Sequence, residues 1–214
     1  MDVRHTPVVV LAGGTGTGKS TLGRALAAEG AAVVDADVVG HEMLRRRDVR
    51  NAVVDTFGPD VLDDEGAVDR RRLGAIVFSD PARLAALNRL VHPPLVAEIE
   101  RRIDRLRRDP AIGAIVIDAA LWPQFEPRPS VDLVVMTTAP RPVRRQRIVE
   151  RDGIDSAAAE RRLERQEALE AFLDDADAVL DTARPRSETR QALFDLLDQR
   201  FGPGWRRPRP STGV

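Results

Sequence analysis

A chain of 214 residues holds a single lysine, and it lies in the run Gly13-Gly14-Thr15-Gly16-Thr17-Gly18-Lys19-Ser20, followed by Thr21. Glycines at these spacings let a loop curl so that its amides face an anion. A helix opening just after the loop adds the positive end of its dipole. The Lys19 ammonium would reach the outer phosphates of a nucleoside triphosphate, and the Ser20 hydroxyl would ligate Mg2+. Every other basic residue is arginine. Drift toward arginine accounts for that composition but not for one retained lysine. A compact ammonium that fits among phosphate oxygens does account for it.

Other residues could complete phosphoryl chemistry. Asp35 and Asp37 follow a β-branched run, and a carboxylate there could take the proton of an attacking hydroxyl. On an extended chain the two share a face, so local sequence does not choose between them, and a surface or capping aspartate is the plain alternative. Asp118 ends another apolar run and could hold a magnesium-bound water or act as a cap. His92 could contact substrate or cap the helix before Pro93-Pro94. Arg144, Arg147 and Arg151 form a stripe at helical spacing, suited to countering phosphoryl charge, although a charged helix face is commonly just solvated.

The same residues exclude some classes. A guanine-recognition Asn-Lys-x-Asp motif is absent, because the one lysine is in the loop. Ile115-Val116-Ile117-Asp118 is followed by Ala119, so no glutamate stands there to activate water. Transfer to an acceptor is favoured over hydrolysis. With no cysteine, the chain has no disulfide, cysteine zinc site or thiol nucleophile. A net charge of −1 argues against a nucleic-acid partner. No apolar run is long enough for a membrane span and the start is not a signal peptide, so the expected location is the cytoplasm.

Alternating elements must position these groups. Strands are expected at Val8–Leu11, Ala31–Val34, Ile112–Ile117, Val131–Met136 and Ala178–Leu180, with helices at Thr21–Glu29 and Glu188–Phe201. This pattern predicts an α/β doubly wound parallel sheet of about five strands, with ligands at the strands' carboxyl ends. Residues 41–108 contain no strand and read as an all-helical insert, with one helix ending at Pro93-Pro94 and another starting beyond it. The expected core is 7–40, 111–140 and 173–201 in one domain of 1–201, with a charged helical segment at 141–172 and a disordered tail at 202–214.

The chain resembles the dephospho-coenzyme A kinase family from about Val8 to Thr182. Four blocks carry the likeness: Ala12–Thr21; Val33-Val34-Asp35-Ala36-Asp37; Phe57-Gly58-Pro59 through Gly66–Arg70, Leu73-Gly74, Ile76–Phe78 and Leu87-Asn88 to Val91-His92-Pro93; and Arg147 to Arg151-Asp152-Gly153 with Arg162 and Gln166. The third block sets it apart from phosphate-loop kinases in general. The family pattern is altered around Ala120–Pro129, and Glu170, Ala171 and Phe172 occupy a region where a lysine is common. The resemblance implies a P-loop kinase-like fold with a substrate-binding insert and a helical lid at 141–172. It implies transfer of the ATP γ-phosphate to the ribose 3′-hydroxyl of dephospho-CoA, with Mg2+. Asp37 then corresponds to the base and Arg147 to the lid arginine, beside Lys19 as catalytic residues. ATP falls to Gly13, Gly14, Thr15, Gly16, Thr17, Gly18, Lys19, Ser20 and Thr21, and the acceptor to Asp37, Arg70, His92 and Arg151. A monomer is expected. The rival readings are another small-molecule or nucleotide kinase and a silent nucleotide-binding regulator.

Overall fold

Short β-branched runs with no polar alternation suit a parallel sheet buried on both faces. The computed structural model, which describes residues 5–120, 122–125, 128–164, 166 and 176–207, shows such a sheet. Strands β1 (Val8–Ala12), β2 (Ala32–Asp35), β3 (Ile115–Asp118), β4 (Leu133–Thr138) and β5 (Ala178–Asp181) lie in the order β2-β3-β1-β4-β5, all parallel. Val8 to Ala12 are fully buried, as the central position of β1 requires. Helix α1 (Lys19–Ala28) and helix α8 (Arg186–Phe201) supply Leu22, Leu26, Leu193, Phe194 and Leu197 to a core shared with Val9, Leu11, Val116 and Val135. Helices α6 (Arg141–Asp152) and α7 (Ser156–Glu164) pack through Ile148, Ala159 and Leu163. Residues 165 and 167–175 of the expected lid and core lie outside the described residues.

The sheet belongs to one of two units, formed by the chain up to Asp35, Ile103–Gln124 and the chain from Ser130. The second comprises Ala36–Arg102 with Phe125–Pro129. It is built from α2 (Ala36–Arg45), α3 (Arg47–Phe57), α4 (Arg70–Val77) and most of α5 (Pro81–Arg107). Val49, Val53, Val61, Leu73 and Val77 form its core. The block from Phe57 to Arg70 has a local logic. Leu62 and Val68 form an antiparallel bridge, Asp63 ties the intervening turn, and Asp69 caps α4 by accepting from the Arg71 and Arg72 amides. That bridge is the only extended pairing among the described residues of 41–108.

Three expectations change. Pro93 and Pro94 do not end a helix, because α5 runs through both. They deprive the Arg89 and Leu90 carbonyls of donors, a cost of about 3 kcal/mol or more for an interior proline. Packing on both sides opposes this: Leu84, Leu87 and Val91 sit on the second unit's core, and Leu95, Val96 and Ile99 are buried. The extended chain ends at Asp35, so Asp37 lies in the first turn of α2. Finally, the described part of the expected tail is packed. Trp205, 1% exposed, joins the sheet core, stacks edge-on against Phe194 and donates from Nε1 to Asp198 at 2.8 Å. Arg206 pairs with Asp198 at 2.6 Å and lies over both rings. The Arg207 amide donates to Glu29 O at 2.7 Å. Gly113 makes room for this strap, since a Cβ there would overlap the Trp205 carbonyl. The apolar bulk of Trp205 outweighs the glycine- and proline-rich composition around it. Residues 208–214 lie outside the described residues.

Trp205→Ala should lower stability by about 3–5 kcal/mol, with Trp205→Phe milder, in denaturant unfolding. In the second unit Glu98, 9% exposed, accepts from Arg101 and Arg102, and Arg102 also reaches Glu42. Burial alone would raise the Glu98 carboxyl, but the two guanidiniums outweigh it and hold it below the usual glutamate range. A lowered folded value means that its stabilisation is complete above that range and lost as pH falls through the folded value. Glu98→Gln should therefore cost about 1–3 kcal/mol at neutral pH, and the difference should shrink in acid. A pH series of unfolding midpoints with a constant gap would contradict this.

Candidate active site

In an open parallel sheet, ligands collect where neighbouring strands send their connections opposite ways. The chain leaves β1 toward β2 on one side, and leaves β3 toward β4 on the other. The crevice at the carboxyl ends of β1 and β3 therefore lies between Ala12-Gly13 and Asp118. The structure brings Lys19 and Asp118 together there, Nζ to Oδ1 at 3.2 Å, both largely buried. Asp118 thus faces the loop's ammonium rather than capping a helix. Helix α1 begins at Lys19, earlier than its apolar face suggests, so Lys19 and Ser20 already carry helical amides. Its first turn contains no acidic residue, and no side chain caps it, leaving the positive end for an anion.

Four successive loop carbonyls are held by side chains. Gly14 O accepts from Thr17 Oγ1 at 2.7 Å, Thr15 O from Arg144 Nε at 3.0 Å, Gly16 O from Arg147 at 3.2 Å, and Thr17 O from Thr182 Oγ1 at 2.8 Å. The Thr15 amide donates to Gln166 Oε1 at 2.6 Å. Thr137 Oγ1 lies 3.0 Å from Ala12 O and 2.8 Å from Thr17 Oγ1. Two hydroxyl protons serve three acceptors here, so one contact is always unmade. Gly13, at φ 131, meets this cluster so closely that a Cβ would lie 2.5 Å from Thr137 O.

The arginine stripe on α6 reaches the loop at three points. Arg144 is buried, with 5% exposure. Arg147 donates to Thr182 Oγ1 at 2.9 Å and Thr182 O at 2.6 Å, besides Gly16. Arg151 lies 3.4 Å from Thr15 Oγ1 and grips Asp152 at 2.7 and 2.9 Å. That bond holds the Asp152 carboxyl below its ordinary range against the effect of burial, and raises Arg151. Arg162 joins the same carboxylate. The sequence does not single out Thr137 and Thr182 as partners of Thr17, because threonines at strand ends have no distinguishing pattern.

The remaining site residues lie in the second unit. Asp37 is exposed in the first turn of α2, and Arg70 is exposed at the start of α4. His92 is 6% exposed inside α5, its ring 5.2 Å from that of Phe125. It caps no helix end, since the helix continues. Of the altered 120–130 segment, residues 121, 126 and 127 lie outside the described residues, as do Glu170, Ala171 and Phe172.

A family model for dephospho-CoA kinase matches residues 7–186. The chain belongs to the dephospho-CoA kinase family. A dephospho-CoA kinase of Leifsonia xyli is 37% identical over 194 residues, 88% of this chain and 96% of that one. The crystal structure of TT1252 from Thermus thermophilus superposes with a TM-score of 0.75 at 27% identity, covering 92% of this chain and 98% of that one. A dephospho-CoA kinase from Campylobacter jejuni shares the fold, with a TM-score of 0.55 at 23% identity over 91% of this chain and 97% of that one. The family's match spans both the loop and the second unit. Among the described residues no helix is long and apolar enough to cross a membrane.

Thr182→Val should strip Thr17 O of its donor and Arg147 of an acceptor. The expected loss is about 1–3 kcal/mol in thermal or denaturant unfolding, largely recovered in Thr182→Ser. Equal losses in the two variants would show that the hydroxyl is not what matters.

Proposed function

We propose that the chain transfers the γ-phosphate of ATP to the ribose 3′-hydroxyl of dephospho-CoA, giving coenzyme A and ADP. The observation that carries this reading is the loop with Lys19 paired to Asp118 at the sheet's switch point, within a chain of this family. ATP lies along Gly13–Thr21, its phosphates on the loop amides and the α1 terminus. The acceptor falls to Asp37, Arg70, His92 and Arg151.

The acceptor oxygen attacks the γ-phosphorus, forming the new O–P bond while the bond to the β,γ-bridging oxygen breaks. ADP leaves with that electron pair. Asp37 takes the hydroxyl proton. Lys19 offsets charge on the transferring group and on the departing ADP. Arg147, fixed by Gly16 and Thr182, adds a stationary positive charge at the rim of the loop. Exclusion of water around the transferring group would limit hydrolysis.

The donors present fit Mg2+. Ser20 is exposed at the start of α1, Asp118 lies at the end of β3, and no group of three or more His, Cys, Asp or Glu exists among the described residues to cage a metal. Such a sparse oxygen set matches an ion that keeps its waters and phosphate ligands. When bound, Mg2+ would neutralise phosphate charge, held by Ser20 directly and by Asp118 through water.

Incubation with ATP, Mg2+ and either dephospho-CoA or nucleoside monophosphates, read by mass spectrometry, tests the acceptor. Phosphorylated nucleotide with inert dephospho-CoA would displace this reading. Asp37→Asn should lower turnover by about 10²–10⁴-fold while ATP binding persists. Near-parent turnover would remove the base assignment.

A further inference from the structure

We propose that Arg144 is a positioning residue for phosphate binding, acting by holding the Thr15–Gly16 peptide so that the Gly16 amide faces the nucleotide. In a trans peptide the carbonyl of one residue and the amide of the next point opposite ways. Arg144 Nε takes Thr15 O at 3.0 Å, so the Gly16 N–H is turned to the other side of that peptide. This peptide precedes a glycine at φ 77, where rotation meets little steric resistance. Without a restraint it would flip readily and present a carbonyl oxygen to the phosphates. The restraint is built in. Arg144 is 5% exposed, and its carbonyl oxygen lies 2.8 Å from where a Gly16 Cβ would be. Its Nη2 lies 2.6 Å from a Cβ position on Gly14. The guanidinium therefore lies against the loop's outer side, bonded to its backbone, rather than reaching across it.

This inference rests on the loop being the ATP site, so the test uses nucleotide binding alone, with no acceptor. Arg144→Met keeps most of the stem but places a methyl carbon where Nε stood. Arg144→Gln removes the charge yet sets an amide nitrogen at the same bond count as Nε. Calorimetric titration with ATP should show about five- to tenfold weaker binding in R144M, and recovery to within about twofold of the parent in R144Q, as expected for one hydrogen bond. The KM for dephospho-CoA should stay within about twofold in both, which a general loss of structure would not allow. Equal weakening in R144M and R144Q, or parent-like binding in R144M, overturns the proposal. If R144M does not fold, R144Q decides alone. Parent-like affinity supports the hydrogen bond, and a loss beyond about tenfold shows that the charge matters instead. Failure of the parent chain to bind ATP would refute the site itself, a separate outcome.

Discussion

A peptide group has one polar face on each side, and fixing one aims the other. The phosphate loop depends on that constraint. Gly14, Thr15, Gly16 and Thr17 each have their carbonyl held by a side-chain donor. A loop with so many glycines has little conformational preference of its own. Its shape is imposed by Thr17, Arg144, Arg147 and Thr182. Binding to a preset loop avoids the ordering cost that a flexible one would incur at each encounter.

That imposition explains much of the surrounding architecture. Apart from Thr17, the donors come from α6 and from just beyond β5, both distant in sequence from the loop. They arrive because β4 and β5 continue the sheet outward from β1, carrying α6 alongside. On the other side of β1, strand β3 brings Asp118 to Lys19. A buried ammonium facing the site needs such a carboxylate while no phosphate is present, since an unpaired charge at that depth would be costly.

Sequence alone made the loop legible because its chemistry is local, with glycines, lysine and serine fixed in eight positions. The arginine stripe was legible too, since helical spacing alone puts Arg144, Arg147 and Arg151 on one side. What those arginines touch was not, because Thr182 and Thr137 reach the loop only through sheet register. The parallel sheet followed from its β-branched runs. Pro93-Pro94 misled because a local penalty says nothing of the burial on either side that outweighs it. Trp205 was hidden by its glycine- and proline-rich neighbours, although one large aromatic can anchor a short segment. Asp37 shows another limit. Its place beyond β2 could be read, but the turn into α2 at Ala36 has no strong signal before it.

The strap at Trp205–Arg207 has a consequence for synthesis. Strand β1 is made first and sits at the sheet's centre, yet its partners begin at Ile115 and Leu133. Leu193, Phe194, Leu197 and Trp205 finish the core around Val9 and Leu11. A nascent chain therefore exposes its most apolar strand until Ile115 and Leu133 have been made, and the core around Val9 and Leu11 stays unfinished until Trp205 follows. The second unit, contiguous from Ala36 to Arg102, has most of its core available far earlier. The order of emergence thus runs helical unit first and sheet last, and the interval between them is when β1 needs protection from other chains.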